Sequence, residues 1–404
     1  MHAPQTARAT TGGVMACHIP FAFTARDGEL VRTVYPDSEI VRISLETSAK
    51  VVSTLPHGVG VWVDGGVEGF ERWPDVSDNW KEHIKKFAGW QSVGEKDFQQ
   101  NPNAQTVGKF VSEVLSACLQ AAPKVSWVSV PQLPAVSDGS RNKINKALAE
   151  AAAAWRNEKK YRGKLILPVI LTHQEQANLK TDRNRRIQLA AQCFQRASAD
   201  GYWVVEITLS DQSGQGPFAG RRFPGLIRLH EEIAEELNTS GPCIAGPYWG
   251  LNLVLWARGL ITHPAIGLGI GYQYHVPAGK RRPKPAKRRI ALPPLRRWAT
   301  VSRELEAWLA GLPKNDPAYK ELRDLAPRFS KYTLEDEARR QVARFYKAWF
   351  DKIADTPASG RALALYQDFS TAYVLGKPLP DLPEDEKTAR RPERIAEQFM
   401  LQCL

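Results

Sequence analysis

The sequence predicts an α/β protein whose main part is a (β/α)8 barrel of the TIM type, followed by an α-helical C-terminal domain. Between His18 and His275, short apolar runs alternate with helix-like segments, and eight such runs match the strand number of this barrel. Several runs are apolar on both faces, as the buried strands of a parallel sheet must be. A doubly wound open sheet is the alternative arrangement of the same elements.

Each predicted strand is rich in β-branched or aromatic residues. The later connections predict helices over 138–158, 181–200, 224–238 and 249–258, because they begin near capping residues such as Asp138 or Ser140 or close at a glycine. The eight strands are "HIPFAF" (18–23), "IVRISL" (40–45), "GVGVWVD" (58–64), "VSWVSVP" (125–131), "KLILPVILT" (164–172), "YWVVEITL" (202–209), "CIAGPY" (243–248) and "AIGLGIGYQY" (265–274).

The pattern changes after His275. The segment from Ala278 to Arg297 contains nine Lys or Arg residues and no acid, and its prolines exclude a regular helix. From Trp298 the apolar spacing is helical, over 298–311, 317–326, 333–354, 358–375 and 390–402. The predicted division is therefore a flexible N-terminus (1–17), a barrel (18–276), a basic Pro-rich linker (277–297) and a helical domain (298–404).

The composition is that of a globular protein, with 43% hydrophobic and 24% charged residues among 404. Five scattered cysteines form no CxxC pair, which argues against a disulfide framework and fits a reducing compartment. The first residues lack the apolar run of a signal peptide, and no apolar stretch is long enough to span a membrane. We therefore expect a cytoplasmic protein. Because no HxH or HExxH motif is present, neither a metal nor a cofactor is expected.

The positive charge is concentrated in one place. The formal net charge is +12, and without the nine basic residues of the linker it would be +3. Such a segment is either an arm that binds nucleic acid or a solvated connector, and it lacks the helical amphipathic pattern of a membrane-surface segment. The residues predicted to bind nucleic-acid phosphates are Lys280, Arg281, Arg282, Lys284, Lys287, Arg288 and Arg289.

In such a barrel the active site lies at the C-terminal ends of the strands, which selects three candidate catalytic residues. Asp64 ends the third strand before two glycines, where it either reacts or shapes a turn. Glu206 lies within an apolar strand, so it is either a member of a buried ion pair or a general acid–base group. His173 ends the fifth strand, where it is either a base or a structural group bonded to the backbone.

The same rule selects residues that would hold the substrate. Aromatic side chains at a barrel mouth can stack on a base or a sugar, or they can seal the top of the barrel. Glycines 267, 269 and 271 share one face of the last strand, which allows either close helix packing or close approach of a ligand. The predicted substrate-binding residues are Gln132, Tyr248, Trp249, Asn252, Tyr272 and Gln273.

The motifs "WVDGG", "VSVPQ", "ILPVILTHQ", "YWVVEI" and "CIAGPYWGLNLVLWARG" follow one another in an order that resembles tRNA-guanine transglycosylase-like barrels. The resemblance covers roughly residues 58–275 in organisation. In that family an aspartate in an Asp-Ser-Gly-Gly-Phe-Gln motif follows an early strand, and Asp64-Gly65-Gly66 is a partial match. The family's Cys/His zinc cluster and nucleophilic aspartate are absent here. The resemblance implies a barrel that acts on nucleic acid, without implying base exchange itself.

Two functions remain open from the sequence. The first is an enzyme acting on a nucleotide or nucleic acid, with glycosidic-bond or base-modification chemistry at the mouth and phosphate binding by the basic segment. The second is a non-catalytic barrel scaffold that binds nucleic acid or a protein partner through the basic linker and the C-terminal helices.

Overall fold

A closed barrel of eight parallel strands forms the centre of the computed structural model, which describes residues 18–73, 76–134, 139–172, 181–207, 223–248, 250–268, 288–382 and 392–403. Each strand pairs with the next one in the chain, and β8 pairs with β1 to close the ring. This arrangement confirms the barrel and excludes the open sheet. The strands are β1 (Ile19–Ala22), β2 (Ile40–Ser44), β3 (Gly60–Asp64), β4 (Val125–Ser129), β5 (Lys164–Thr172), β6 (Gly201–Ile207), β7 (Cys243–Ala245) and β8 (His263–Gly267).

The eighth strand is the one whose position differs most from the prediction. It begins at His263 and ends at Gly267, whereas the prediction placed it over 265–274. Of the three glycines on the predicted strand face, Gly267 ends β8, and Gly269 and Gly271 lie outside the described residues.

Helices connect the strands and form the outer layer. The first, α1, begins with a capping box, in which Thr24 Oγ1 accepts from the Asp27 N–H and the Asp27 carboxylate accepts from the Thr24 N–H at 2.9 Å. Within the described residues, no helix combines the length and the apolar character needed to cross a membrane. The helices up to β8 are α1 (Ala25–Val34), α2 (Ser48–Val52), α3 (Asp78–Ile84), α4 (Trp90–Gly94), α5 (Lys96–Gln100), α6 (Ala104–Gln120), α7 (Gly139–Lys159), α8 (Thr181–Arg196), α9 (Phe223–Leu237) and α10 (Leu251–Ala257).

The chain after the barrel adds a two-stranded antiparallel sheet and further helices. Residues 298–300 form a strand, although the sequence predicted a helix from Trp298. Pro293–Leu295 form a 3₁₀ turn and Arg296 has a left-handed φ of 48°, so the chain reverses there and the residues on either side pair. The elements are β9 (Arg289–Leu292), β10 (Arg297–Thr300), α11 (Arg303–Ala310), α12 (Lys320–Arg323), α13 (Phe329–Tyr332), α14 (Glu335–Ala354), α15 (Arg361–Gly376) and α16 (Pro392–Cys403).

Helix α14 completes the outer layer of the barrel. It packs against α1, where Tyr35 Oη donates to the Ala343 carbonyl at 2.9 Å. Near its C-terminus, the Phe350 ring lies 3.9 Å from the ring of His18 and stacks on Trp256 at 4.6 Å, measured between centroids. The helix therefore lies between α1 and α10, in the place of the eighth helix of the barrel.

The buried apolar residues form two clusters. One joins the barrel to α14, α15 and α16, whereas the other lies among β9, β10, α11, α12 and α13. The described C-terminal helices are thus divided between the two clusters. The predicted boundaries at 276/277 and 297/298 stay predictions.

Candidate functional site

Aromatic side chains fill the barrel interior. The rings of Phe21, Trp62 and Trp203 pack edge to face at centroid distances of 5.3–5.7 Å. The indole N–H of Trp62 donates to Ser129 Oγ at 2.9 Å, and that of Trp203 donates to the Gly246 carbonyl at 2.7 Å. The interior is therefore a packed core, and a reaction site at the mouth would lie above it.

A buried ion pair joins β2 to the C-terminal end of β3. The Arg42 guanidinium donates to Asp64 Oδ2, and both side chains are almost completely shielded from water. The Arg42 guanidinium carbon also lies 5.1–5.3 Å from the ring centroids of Phe21, Phe23 and Trp203. Cation–π contacts and the carboxylate together hold the guanidinium in one position.

The loop after β3 is fixed around Asp64. The Gly66 N–H donates to Asp64 Oδ1 at 3.3 Å, and Gly66 has a left-handed φ of 69°. The Trp80 indole N–H donates to the Gly66 carbonyl at 2.9 Å, and a Cβ on Gly69 would lie 2.3 Å from the Trp80 ring. Asp64 thus shapes the turn that contains the two glycines and also holds the ion pair, and its catalytic role stays a prediction.

Gln132 is buried between the end of β4 and α7 and takes part in hydrogen bonds that join them. Its amide donates to the carbonyls of Pro131 at 2.8 Å and Asn145 at 3.1 Å. The side chain of Asn145 in turn accepts from the Leu133 N–H and donates to the Leu133 carbonyl. These contacts position the loop after β4.

Tyr248 and Asn252 lie in the layer between strands and helices. Both line a small cavity between the end of β8 and α14. The Asn252 amide donates to the Ala265 carbonyl, and the Tyr248 ring packs edge to face on His230 at 6.1 Å. The structure therefore places them apart from Asp64, whose carboxylate joins the arginine inside the ring.

The side chains of several predicted site residues lie outside the described part of the structure. Glu206 pairs with Leu171 in the ladder between β5 and β6, and its side chain is outside the described part. The residues wholly outside the described ranges are His173, Trp249, Tyr272, Gln273, Lys280, Arg281, Arg282, Lys284 and Lys287.

The first two described arginines of the basic segment differ in their surroundings. Arg288 is exposed. The Arg289 guanidinium carbon lies 4.0 Å from the ring centroid of Trp298, across the hairpin of β9 and β10. Arg289 therefore stabilises the hairpin by a cation–π contact.

An interaction that we call the clasp joins the start of α14 to the mouth end of the barrel. The Arg339 guanidinium forms an ion pair with Asp27, after β1, and donates to the carbonyl of Leu268, just after β8, at 3.1 Å. Gln341 exchanges hydrogen bonds of 2.7 and 2.9 Å with the backbone of Ala291 in β9. The described residues on both sides of 269–287 are therefore fixed on neighbouring residues of α14 at the mouth end.

The described residues include neither an obvious metal centre nor an activated thiol. Among them, no group of three His, Cys, Asp or Glu side chains could hold a metal ion. Burial raises the pKa of Cys193 and of Cys403 to about 12 and raises that of Cys118 further. These thiols are protonated at neutral pH and are poor nucleophiles.

Arg42 is the main residue that the sequence reasoning missed. It lies in the middle of "IVRISL", and a charge within an apolar strand is the same signal that selected Glu206. Applied to both strands, that argument would have found the partner of Asp64. The pairing itself depends on the register of β2 and β3.

Comparisons with known proteins do not assign a family. No protein-family model and no curated protein matches the chain. It is similar to the carboxyl transferase domain of Rhizobium etli pyruvate carboxylase with pyruvate, at 10% identity and a TM-score of 0.35, covering 95% of this chain and 62% of that one. It is also similar to the complete multifunctional pyruvate carboxylase of that organism, at 12% identity and a TM-score of 0.37, covering 95% of this chain and 36% of that one.

A further similar structure is a probable tagatose 6 phosphate kinase from Sinorhizobium meliloti, at 11% identity and a TM-score of 0.34, covering 96% of this chain and all of that one. This chain spans less than two thirds of the length of the carboxylase structures. Likenesses of this degree carry no argument about activity. The resemblance to transglycosylase-like barrels stays a prediction.

Proposed function

We propose that this protein is a barrel enzyme that acts on a nucleotide or nucleic acid at the C-terminal mouth, with Asp64 as an acid–base group. The observation that carries the proposal is the clasp. Because Leu268 and Ala291 are both bonded to the start of α14, the basic segment between them is tethered on both sides to the mouth end of the barrel. Its lysines and arginines would neutralise phosphates there.

The geometry around Asp64 supports a chemical role. Arg42 and the Gly66 N–H each bond to a different oxygen of the carboxylate, which fixes its orientation. A carboxylate oxygen has two lone pairs, so each oxygen can accept a further proton or hydrogen bond. A general base must lie within hydrogen-bond reach of the proton that it removes, so the proposal requires that a bound substrate reach this shielded carboxylate at the end of β3. Glu206 and His173 remain proposed as further catalytic groups, from the sequence.

The alternative is a non-catalytic scaffold that binds nucleic acid or a protein through the basic segment and the C-terminal helices. The contacts of Gln132, Tyr248 and Asn252 favour this alternative, because two of these side chains bond to the backbone and all three are buried within the protein. A mouth whose polar residues support its own loops is also what a scaffold would have.

The first experiment measures the binding of the full chain to a mixed-sequence DNA duplex at several salt concentrations. The test variant neutralises Lys280, Arg281, Arg282, Lys284, Lys287 and Arg288 and retains Arg289, because Arg289 stacks on Trp298. We expect weaker binding and a smaller salt slope, since each lost phosphate contact reduces the log–log slope by about 0.9.

A matched control variant removes six exposed basic residues elsewhere: Lys50, Lys109, Lys143, Lys160, Arg303 and Lys314. If both variants lose the same affinity, binding follows net charge and the proposed role of the segment is wrong. An enzyme also releases a modified nucleotide or base, detectable by mass spectrometry, and Asp64→Asn abolishes the product while duplex binding persists. Duplex binding without any product supports the scaffold.

A further inference from the structure

A second cleft lies at the opposite end of the barrel from the mouth. Three loops that precede β2, β3 and β4, together with the first residues of β2, β3, β4 and β5, line a cleft that is open to solvent and has a volume of about 630 Å³. Pockets for small ligands have volumes of roughly 300–1,000 Å³, so this cleft is large enough for one. We call it the basal cleft. The residues used below are Asp37, Glu39, Lys124, Ser126, Trp127 and Lys164.

Two lysines supply positive charge to the basal cleft. Lys164 starts β5, and its Nζ lies 5.3 Å from the ring centroid of Trp127. Lys124 precedes β4, and its Nζ donates to the Gly58 carbonyl at 3.0 Å. Each ammonium has three N–H donors, so both retain donors for a ligand.

Two acidic residues also line the basal cleft. Asp37 forms an ion pair with Lys347 of α14 at 3.4 Å, which compensates its charge. Glu39 is exposed at the rim, and a carboxylate there accepts hydrogen bonds from ligand hydroxyl groups. Burial and, to a smaller extent, the nearby charge of Lys164 lower the pKa of His263 to about 4.

Ser126 and Trp127 of β4 complete the lining, and residues behind them fix their positions. Trp127 is buried to 6% exposure, and its ring packs edge to face on His263 at 5.6 Å. The Tyr161 hydroxyl donates to the Ser126 carbonyl at 3.1 Å, which fixes the start of β4. The cleft thus combines a rigid strand end, two exposed ammonium groups and an acceptor at the rim.

We propose that the basal cleft binds a small phosphorylated sugar, whose phosphate contacts Lys124 and Lys164 and whose hydroxyl groups contact Glu39. This site is separate from the mouth and does not depend on the function proposed for it. In barrels of this kind the reaction takes place at the C-terminal ends of the strands, so a ligand in the basal cleft is an effector rather than the substrate.

The test is isothermal titration calorimetry of the full chain with three probes: ribose 5-phosphate, inorganic phosphate and ribose. We expect saturable binding of one ribose 5-phosphate per chain, weaker binding of inorganic phosphate and no binding of ribose. Lys164→Met and Lys124→Met keep the aliphatic stems and remove the charges. Each should weaken ribose 5-phosphate binding at least about tenfold, the loss of one charge-assisted hydrogen bond.

Lys314→Met is the matched control, since Lys314 is exposed and does not line the cleft. It should leave binding unchanged. Absence of saturable ribose 5-phosphate binding overturns the proposal, and so does binding that survives both cleft variants. Equal binding of ribose and ribose 5-phosphate would assign the cleft to the sugar alone and would also overturn the role of the lysines.

Discussion

Two arginine–carboxylate pairs hold different parts of this molecule together. Arg42 and Asp64 are 22 residues apart and join neighbouring strands inside the ring. Arg339 and Asp27 are 312 residues apart and join α14 to the first turn of α1, outside the ring. The first pair stabilises a local register, whereas the second fixes the C-terminal part of the chain onto the barrel.

The surroundings of the two carboxylates differ as well. Asp27 also accepts from the backbone N–H groups of Phe23 at 3.0 Å and Thr24 at 2.9 Å, so it keeps donors if its arginine is removed. Within the described part of the chain, Asp64 has the Gly66 N–H at 3.3 Å as its other donor. The carboxylate of Asp64 would therefore be left with a larger desolvation penalty on removal of Arg42 than the carboxylate of Asp27 on removal of Arg339.

Arg42→Met should cause the largest change. It leaves Asp64 as a buried carboxylate without its cation, which costs about 3–5 kcal/mol in the free energy of unfolding. Urea denaturation followed by circular dichroism measures the loss. A change below about 1 kcal/mol would mean that water or another donor reaches Asp64.

The double variant Arg42→Met/Asp64→Leu separates structure from chemistry. Replacing a buried pair with apolar residues of similar size is often neutral, so most of the lost stability should return. A double variant that folds, binds the duplex and releases no product would support a chemical role of the pair, and product release by Arg42→Met, which keeps the carboxylate, would assign that role to Asp64.

Arg339→Met should have a smaller effect, about 1–3 kcal/mol, because Asp27 retains its capping hydrogen bonds. Hydrogen exchange should increase in the first turns of α14 and leave β2 and β3 unchanged. Arg228→Ala is the control, since Arg228 is 60% exposed beside Glu232 and such pairs contribute less than about 0.5 kcal/mol. Equal losses in the two variants would show that the clasp contributes no more than a surface pair.

The smallest effect concerns acid sensitivity at the other end of α14. Burial lowers the pKa of His18 to about 3, with Lys347 acting in the same direction and Asp37 opposing it. The unfolded chain takes up the proton near pH 6.5 and the folded one does not, so the stability contribution is full above pH 6.5 and is lost as the pH falls. Between pH 7 and pH 5.5 the loss is about 1 kcal/mol.

His18→Phe removes this group and keeps an aromatic ring beside Tyr35 and Phe350. The difference in unfolding free energy between the parent and the variant, measured at several pH values, should therefore shift in favour of the variant below pH 6.5. A difference that stays constant with pH would show that the pKa of His18 is the same in the folded and unfolded chains.

The strands could be predicted because each is a short apolar run, and a buried parallel strand needs little else. The clasp could not, because nothing local in "DEARRQ" indicates that Arg339 meets Asp27 across the fold. The hairpin of β9 and β10 was not predicted. Its prolines exclude a helix, and the sequence alone did not show that they also form the turn of the hairpin. Asp64 could be selected from its strand end, whereas its arginine partner required the register of the ring.

The place of α14 has a consequence for synthesis on the ribosome. All eight barrel strands have been synthesised once Gly267 is added to the growing chain, but the helix that covers β8 and β1 ends at Ala354. In the nascent chain, the junction of β8 and β1 therefore stays uncovered while more than a fifth of the sequence is being translated. Binding of a chaperone should be strongest during that interval, and a slow codon there would prolong the exposure.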